Sequence, residues 1–243
     1  MTFPPRETKT FCELLIEQAL EKCQAEGYQA QFMPQLVDER IMGKLPWDKG
    51  YSAPSIRATG RTKQGNAVVV YAHIPTSLAT SEGIRQAAGV VTNTDHLLKD
   101  ESQQLVDQDG LTDSQGNRLV WVIDYSKSGK MRSGRISIAQ ALEHSQTIPF
   151  LGGEKRAQDY LLAHAKAYLT DVIDIPYNVD LREDSFLARF LSLDYVIYKG
   201  IPGSFHFSPT LLSCGLSVDG DGFYRGGGRF FGIRQQSSEG SKK

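Results

Sequence analysis

Two hydrophobic rhythms alternate along this chain. Over residues 9–26, Phe11, Leu14, Leu15, Ala19 and Cys23 fall three or four positions apart, with Cys12 and Leu20 widening the stripe. That spacing predicts an amphipathic helix, capped by Thr8 or Thr10 and closed by Gly27. Its polar face is mostly Glu and Gln, so it reads as packed on the domain rather than lying on a membrane. A short strand over residues 28–33 follows. Residues 37–54 set Leu45, Trp47 and Tyr51 among Gly43, Pro46, Gly50 and Pro54, which reads as a compact loop pinned by aromatics or as a flap over a cleft.

Strand patterns come next, over residues 55–60 and 66–74, around the turn Lys63-Gln64-Gly65-Asn66. The run Ala67-Val68-Val69-Val70-Tyr71 is nearly all apolar and predicts a central strand or one buried on both faces. Pro75 ends it by removing a donor. Helices are expected over residues 80–88, 94–106, 136–145, 154–169 and 184–193. Strands are expected over 90–92, 118–124, 171–176, 195–198, 204–208, 211–218 and 229–234. Residues 107–117 are rich in turn formers.

Helices and strands interleave early and strands cluster late. That order predicts an α+β or irregular α/β fold. The expected architecture is a single domain, with a mixed β-sheet, helices packed on at least one face and a strand-rich C-terminal part. The expected boundaries are a flexible N-terminus (1–9), one domain (10–235) and a flexible tail (236–243).

Composition narrows the classes. The 243 residues carry 27 basic and 28 acidic side chains, a net charge of -1. This balance gives no global attraction to nucleic acid or an acidic membrane. Cys12, Cys23 and Cys214 form no C-x-x-C unit, which favours a reducing compartment over a disulfide framework. Residues 1–10 lack an apolar signal region, and no apolar run is long enough to span a bilayer. The expectation is a soluble, cytoplasmic protein with no membrane partner.

Candidate chemistry is scattered. His73 and Asp124 each end a hydrophobic strand. On parallel neighbouring strands they would share one sheet edge, with His73 moving a proton and Asp124 orienting it or holding a cation. The bland alternative for His73 is a hydrogen-bonded strand-end residue. Lys127, Lys130, Arg132 and Arg135 form the strongest local positive charge, spaced by Ser and Gly: a solvated loop or a lid over an anion. Arg225 and Arg229 flank three glycines beside Phe223, Tyr224, Phe230 and Phe231, a setting for a phosphate, a carboxylate or a stacked base. Gly152-Gly153 opens a helix but spells no phosphate-binding motif.

Cys214, eight residues after His206, reads as a small buried thiol rather than a nucleophile. Asp219 and Asp221 read as a tight turn rather than a cation loop. A divalent metal has no motif to support it. The sequence does not fix the function. One reading is an enzyme working by acid/base chemistry on an anionic, phosphate-bearing substrate, in the manner of a hydrolase or nuclease. The alternatives are a non-catalytic nucleic-acid-binding protein and a structural or assembly subunit.

Overall fold

The computed structural model describes residues 6–13, 15–47, 49–83, 101, 103–125, 134–168, 172–175, 187–193, 196–199, 205–208 and 228–235. Its elements are β1 (Arg6–Glu13), α1 (Ile16–Ala25), β2 (Gln29–Ala30), α2 (Met33–Ile41), β3 (Tyr51–Arg61), β4 (Ala67–Ala72), β5 (Val120–Asp124) and β6 (Gly134–Ser137). There follow α3 (Ile138–Glu143), α4 (Thr147–Leu151), α5 (Glu154–Tyr168), β7 (Val172–Ile175), β8 (Leu187–Leu193), β9 (Val196–Lys199), β10 (Phe205–Ser208) and β11 (Gly228–Gln235). The fold is a single mixed α and β domain, as the order of patterns predicts. Among the described residues every ladder is antiparallel.

A four-stranded sheet, ordered β5-β4-β3-β8, forms the centre. The apolar run in β4 is buried on both faces because its side chains alternate between two cores. Val69 and Tyr71 join Met33, Leu36, Val37, Phe150, Tyr160 and Leu161 on the face covered by α2, α4 and α5. Val68, Val70 and Ala72 join Phe11, Leu20, Cys23, Tyr28 and Phe230 on the other. That second core lies under α1 and a three-stranded sheet ordered β1-β11-β2. Phe230 and Phe231 of β11 enter opposite cores, so one strand ties the two layers together. No helix among the described residues is long and apolar enough to cross a membrane.

Several expectations fail for identifiable reasons. Residues 6–13 are strand, not loose chain followed by helix: β1 pairs with β11 from Arg6↔Gln235 to Glu13↔Gly228. Only the later half of the apolar stripe is helical, and α1 stops where Gly27 adopts φ 78° and its N–H bonds the Gln24 carbonyl at 2.9 Å. Helix α2 starts at the end of the expected strand and runs into the stretch read as a loop or flap, burying Met33, Leu36, Val37 and Arg40, a three-four spacing in which the last position is a cation. Residues 187–193 form β8 against β3, not a helix, since a seven-residue apolar run fits either period and β3 offers an open edge. The expected elements at 90–92 and 211–218 and the tail at 236–243 lie outside the described residues.

Close packing between the layers sets a first prediction. A Cβ added at Gly232 in β11 would lie 2.9 Å from Cys23 Sγ, 2.9 Å from Tyr28 Cβ and 3.0 Å from Phe11 Cε2. Gly232→Ala is therefore expected to cost about 1–3 kcal/mol, read as a lowered urea midpoint with an unchanged slope. An unchanged midpoint would mean that α1 and β11 are not in the contact described.

Candidate functional site

His73 follows the last residue of β4, on the side of the first core. Its ring is 3% exposed and packs edge-on against Trp121, with centroids 5.3 Å apart. Nε2 lies 2.8 Å from the Pro149 carbonyl, and Nδ1 lies 2.9 Å from Ser55 Oγ. A carbonyl can only accept, so Nε2 carries the proton and Nδ1 accepts from the serine hydroxyl. Ser55 Oγ in turn accepts from the Met33 N–H at 2.8 Å. The imidazole thus joins β3, the first turn of α2 and α4. Burial pushes its pKa down to about 4; the Pro149 carbonyl pulls it upward, and the positive charge of Arg156 lowers it further.

Asp124 does not meet His73. Their strands are neighbours but antiparallel, with Val68 opposite Asp124 and Ala72 opposite Val120. The two residues stand at opposite ends of the ladder, roughly 17 Å apart at a strand rise of ~3.4 Å per residue. The shared sheet edge required parallel strands, and β5 runs back alongside β4 instead. With both ring nitrogens engaged and water excluded, His73 fits the hydrogen-bonded strand-end alternative. Lys127, Lys130, Arg132, Arg225, Cys214, Asp219 and Asp221 lie outside the described residues. For Arg135 only the backbone is described, in β6 opposite Asp174. Among the described residues no cluster of His, Cys, Asp or Glu could hold a metal ion.

Arg229 does take part in an assembly, with residues that the sequence offered only as a pinned loop. Its guanidinium stands 5.8 Å from the Tyr51 ring centroid, and its Nε donates to Cys12 Sγ at 2.9 Å. Tyr51 is 4% exposed, and a second guanidinium, that of Arg40, lies 5.8 Å from the same ring and 5.5 Å from Trp47. Arg40 is fully buried; it donates to Tyr160 Oη at 3.4 Å and to the Lys49 carbonyl. Phe231 meets Tyr51 edge-on at 6.5 Å, and Trp47 packs on Tyr160 at 5.3 Å. The Arg40 cation has no carboxylate partner within ion-pair distance among the described residues, so the aromatic faces and oxygen acceptors offset its desolvation.

The residues that flank 194–227 both meet at this platform. Leu193, the last residue of β8, is opposite Tyr51 in the central sheet. Arg229, next to the first residue of β11, stacks over the same tyrosine. Both ends of residues 194–227 therefore converge on Tyr51. Within that segment, β9 and β10 pair as an antiparallel two-stranded unit. The signal for the platform was present as Trp47 and Tyr51, but nothing in the sequence paired Tyr51 with Leu193 or Arg229.

A domain of antiparallel sheets whose first and last described strands pair defines the architectural class. No protein-family model and no curated protein matches the chain. It is similar to a solved structure described as "Accommodation of massive sequence variation in Nanoarchaeota by the C-type lectin fold", with 36% identity, 96% of this chain and 100% of that chain covered, and a TM-score of 0.68. The chain belongs to the same family as that protein, a family with the C-type lectin fold.

Proposed function

We propose that this protein is a non-catalytic binding protein, in which a rigid C-type lectin-fold core presents residues 194–227 as a variable recognition surface. The observation that carries the reading is the convergence of both ends of that segment on Tyr51, whose ring centroid lies 5.8 Å from the Arg40 and from the Arg229 guanidinium. A segment held at both ends on a buried platform can change its sequence without moving the core. The related Nanoarchaeota structure, described as accommodating massive sequence variation, supports the same division of labour.

The composition of the segment suits recognition. It carries Tyr195, Tyr198, Tyr224, Phe223 and Arg225 among glycines and serines. Tyrosine gives large contact area at low entropic cost, arginine gives directed charge, and glycine and serine give adaptable backbone. The acid/base enzyme reading gains no support from the separation of His73 and Asp124. Recognition of an anionic ligand through Arg225 and Arg229 remains compatible with the binding reading, and nucleic acid is one such ligand.

Randomising positions 218, 219, 221, 223, 224 and 225 together tests this division. Most variants are expected to stay folded, with melting temperatures within about 3 °C of the parent, because a displacement of that size is only about 1 kcal/mol for a chain of this length. Selection from the same library should yield binders to unrelated protein targets. Cooperative unfolding lost in the majority of variants would overturn the proposal.

A further inference from the structure

A second concave surface lies away from the Tyr51 platform, where the three-stranded sheet meets the first turn of α2. It is a cleft of about 480 Å³ lined by Arg6, Gln29, Gln31, Gln35, Ile233 and Arg234. Arg234 is five residues along β11 from Arg229, roughly 17 Å at a strand rise of ~3.4 Å per residue. The cleft volume falls within the usual range for small-ligand sites, roughly 300–1,000 Å³. We propose that this cleft captures the free C-terminal carboxylate of an extended peptide.

The charge count sets the kind of anion. Arg234 is positioned before any ligand arrives, which lowers the entropic cost of binding. It donates to Glu7 and, at 3.2 Å, to the Glu26 carbonyl, and its guanidinium lies 4.7 Å from the Tyr28 ring centroid. The Tyr28 hydroxyl donates to Glu7 at 2.6 Å. That hydrogen bond, with the one from Arg234, holds the Glu7 carboxyl below its usual pKa, so Glu7 is ionised. The side chain of Arg6, on the strand next to β11, makes no hydrogen bond or ion pair among the described residues. Arg6, Arg234 and Glu7 together carry one net positive charge, which a carboxylate balances. A phosphate monoester, close to doubly charged at pH 7, would leave the group net negative. Guanidinium forks match the two oxygens of a carboxylate in pairs. Gln35 sets the cleft beside the first turn of α2, whose partial positive charge adds to the same field.

The rest of the lining argues for peptide groups behind the carboxylate. Three glutamines come from β2, from the turn after it and from α2. Gln31 Nε2 donates to the Gln29 carbonyl at 2.9 Å, whereas the side chains of Gln29 and Gln35 make no hydrogen bond among the described residues. A primary amide carries a donor and an acceptor side by side, the complement of a peptide C=O and N–H. Ile233, opposite Gln29 in the ladder between β11 and β2, gives an apolar contact for the terminal side chain. A bare carboxylate would leave the amides unused. A purely apolar ligand would cover both guanidiniums without giving them an acceptor.

Calorimetric titration of the full chain with the free acid acetyl-Gly-Ala-Leu tests the assignment. The comparisons are the same peptide amidated at its C-terminus, and acetyl-Gly-Asp-Leu amide, whose carboxylate is on a side chain. The free acid is expected to bind at least about tenfold tighter than either amide. Arg6→Ala should weaken the free acid about fivefold. Arg6→Lys, which keeps the charge but loses the fork, should fall between the two. Gln35→Ala should weaken the free acid about threefold. Arg6 and Gln35 are both exposed, so each variant should keep the parent melting temperature. No saturable binding of the free acid, equal affinity for either amidated peptide, or full affinity in either alanine variant would each overturn the proposal.

Discussion

Lowering the pH from 7 to 4 is expected to remove roughly 6 kcal/mol of stability through two buried histidines, comparable with the lower end of an ordinary domain's margin. Burial holds His73 at about 4, and the same cause, with the nearby Arg40 charge, holds His164 at about 4, against 6.5 for the free side chain. Both pKa values are lowered, so the neutral imidazoles belong to the folded state. Between pH 6.5 and about 4 the unfolded chain binds more protons, and stability falls as pH falls. Each histidine contributes about 3 kcal/mol, since one pKa unit corresponds to 1.36 kcal/mol. The slope halves at pH 6.5 and fades by about pH 7.5, where the unfolded imidazoles are neutral too. Urea midpoints at pH 7.5, 6.5, 5.5 and 4.5 should fall only slightly over the first pair and drop steeply over the second. Equal midpoints at pH 7.5 and 4.5 would mean that the two rings are not buried and neutral as described.

Replacing Gly152 by alanine should cost about 2–4 kcal/mol, the sum of two effects. Gly152 ends α4 at φ 80° and ψ 31°, a left-handed conformation in which a Cβ crowds the following backbone. The new Cβ would also stand 2.7 Å from Pro34 Cβ and closer still to its Cγ. Pro34 is in the first turn of α2, and its ring cannot rotate aside. Relief requires α4 and α5 to move from α2, which would strain the pair that Arg156 Nε makes with the Asp38 carboxylate at 2.9 and 3.1 Å. Gly43→Ala separates the effects. Gly43 has φ 74°, and an added methyl there would meet nothing within 4 Å among the described residues, so the change should cost only about 1 kcal/mol. Equal urea midpoints for the two variants would remove the steric half of the argument.

Two strands of the central sheet, β4 and β5, were the most readable part of the chain. Valines in β4 and the run before Asp124 declare buried strands because nothing else accommodates so many branched apolar residues in succession. The capping box of α3 was also written locally, as Ser137 and Gln140 exchanging hydrogen bonds at 3.2 and 2.9 Å. What failed was decided by distant partners. Thr8 and Thr10 fit a strand or a helix cap, and only β11, more than two hundred residues later, selects the strand. Arg40 hid α2 because a cation stood where the apolar stripe should continue, and its acceptance by Trp47 and Tyr51 is a tertiary event. His73 and Asp124 looked like partners because each ends an apolar run. Strand direction, which their own sequences do not encode, separated them.

The ladder between β1 and β11 has Arg6 opposite Gln235 at one end and Glu13 opposite Gly228 at the other, some 24 Å away at ~3.4 Å per residue. Anything fused before Arg6 or after Gln235 departs from one end of this ladder, while Leu193 and Arg229 meet Tyr51 at the other. A carrier tethered through either terminus would leave the far end facing outward. The two ends are spaced widely enough that a fusion at either terminus would not crowd the Tyr51 platform.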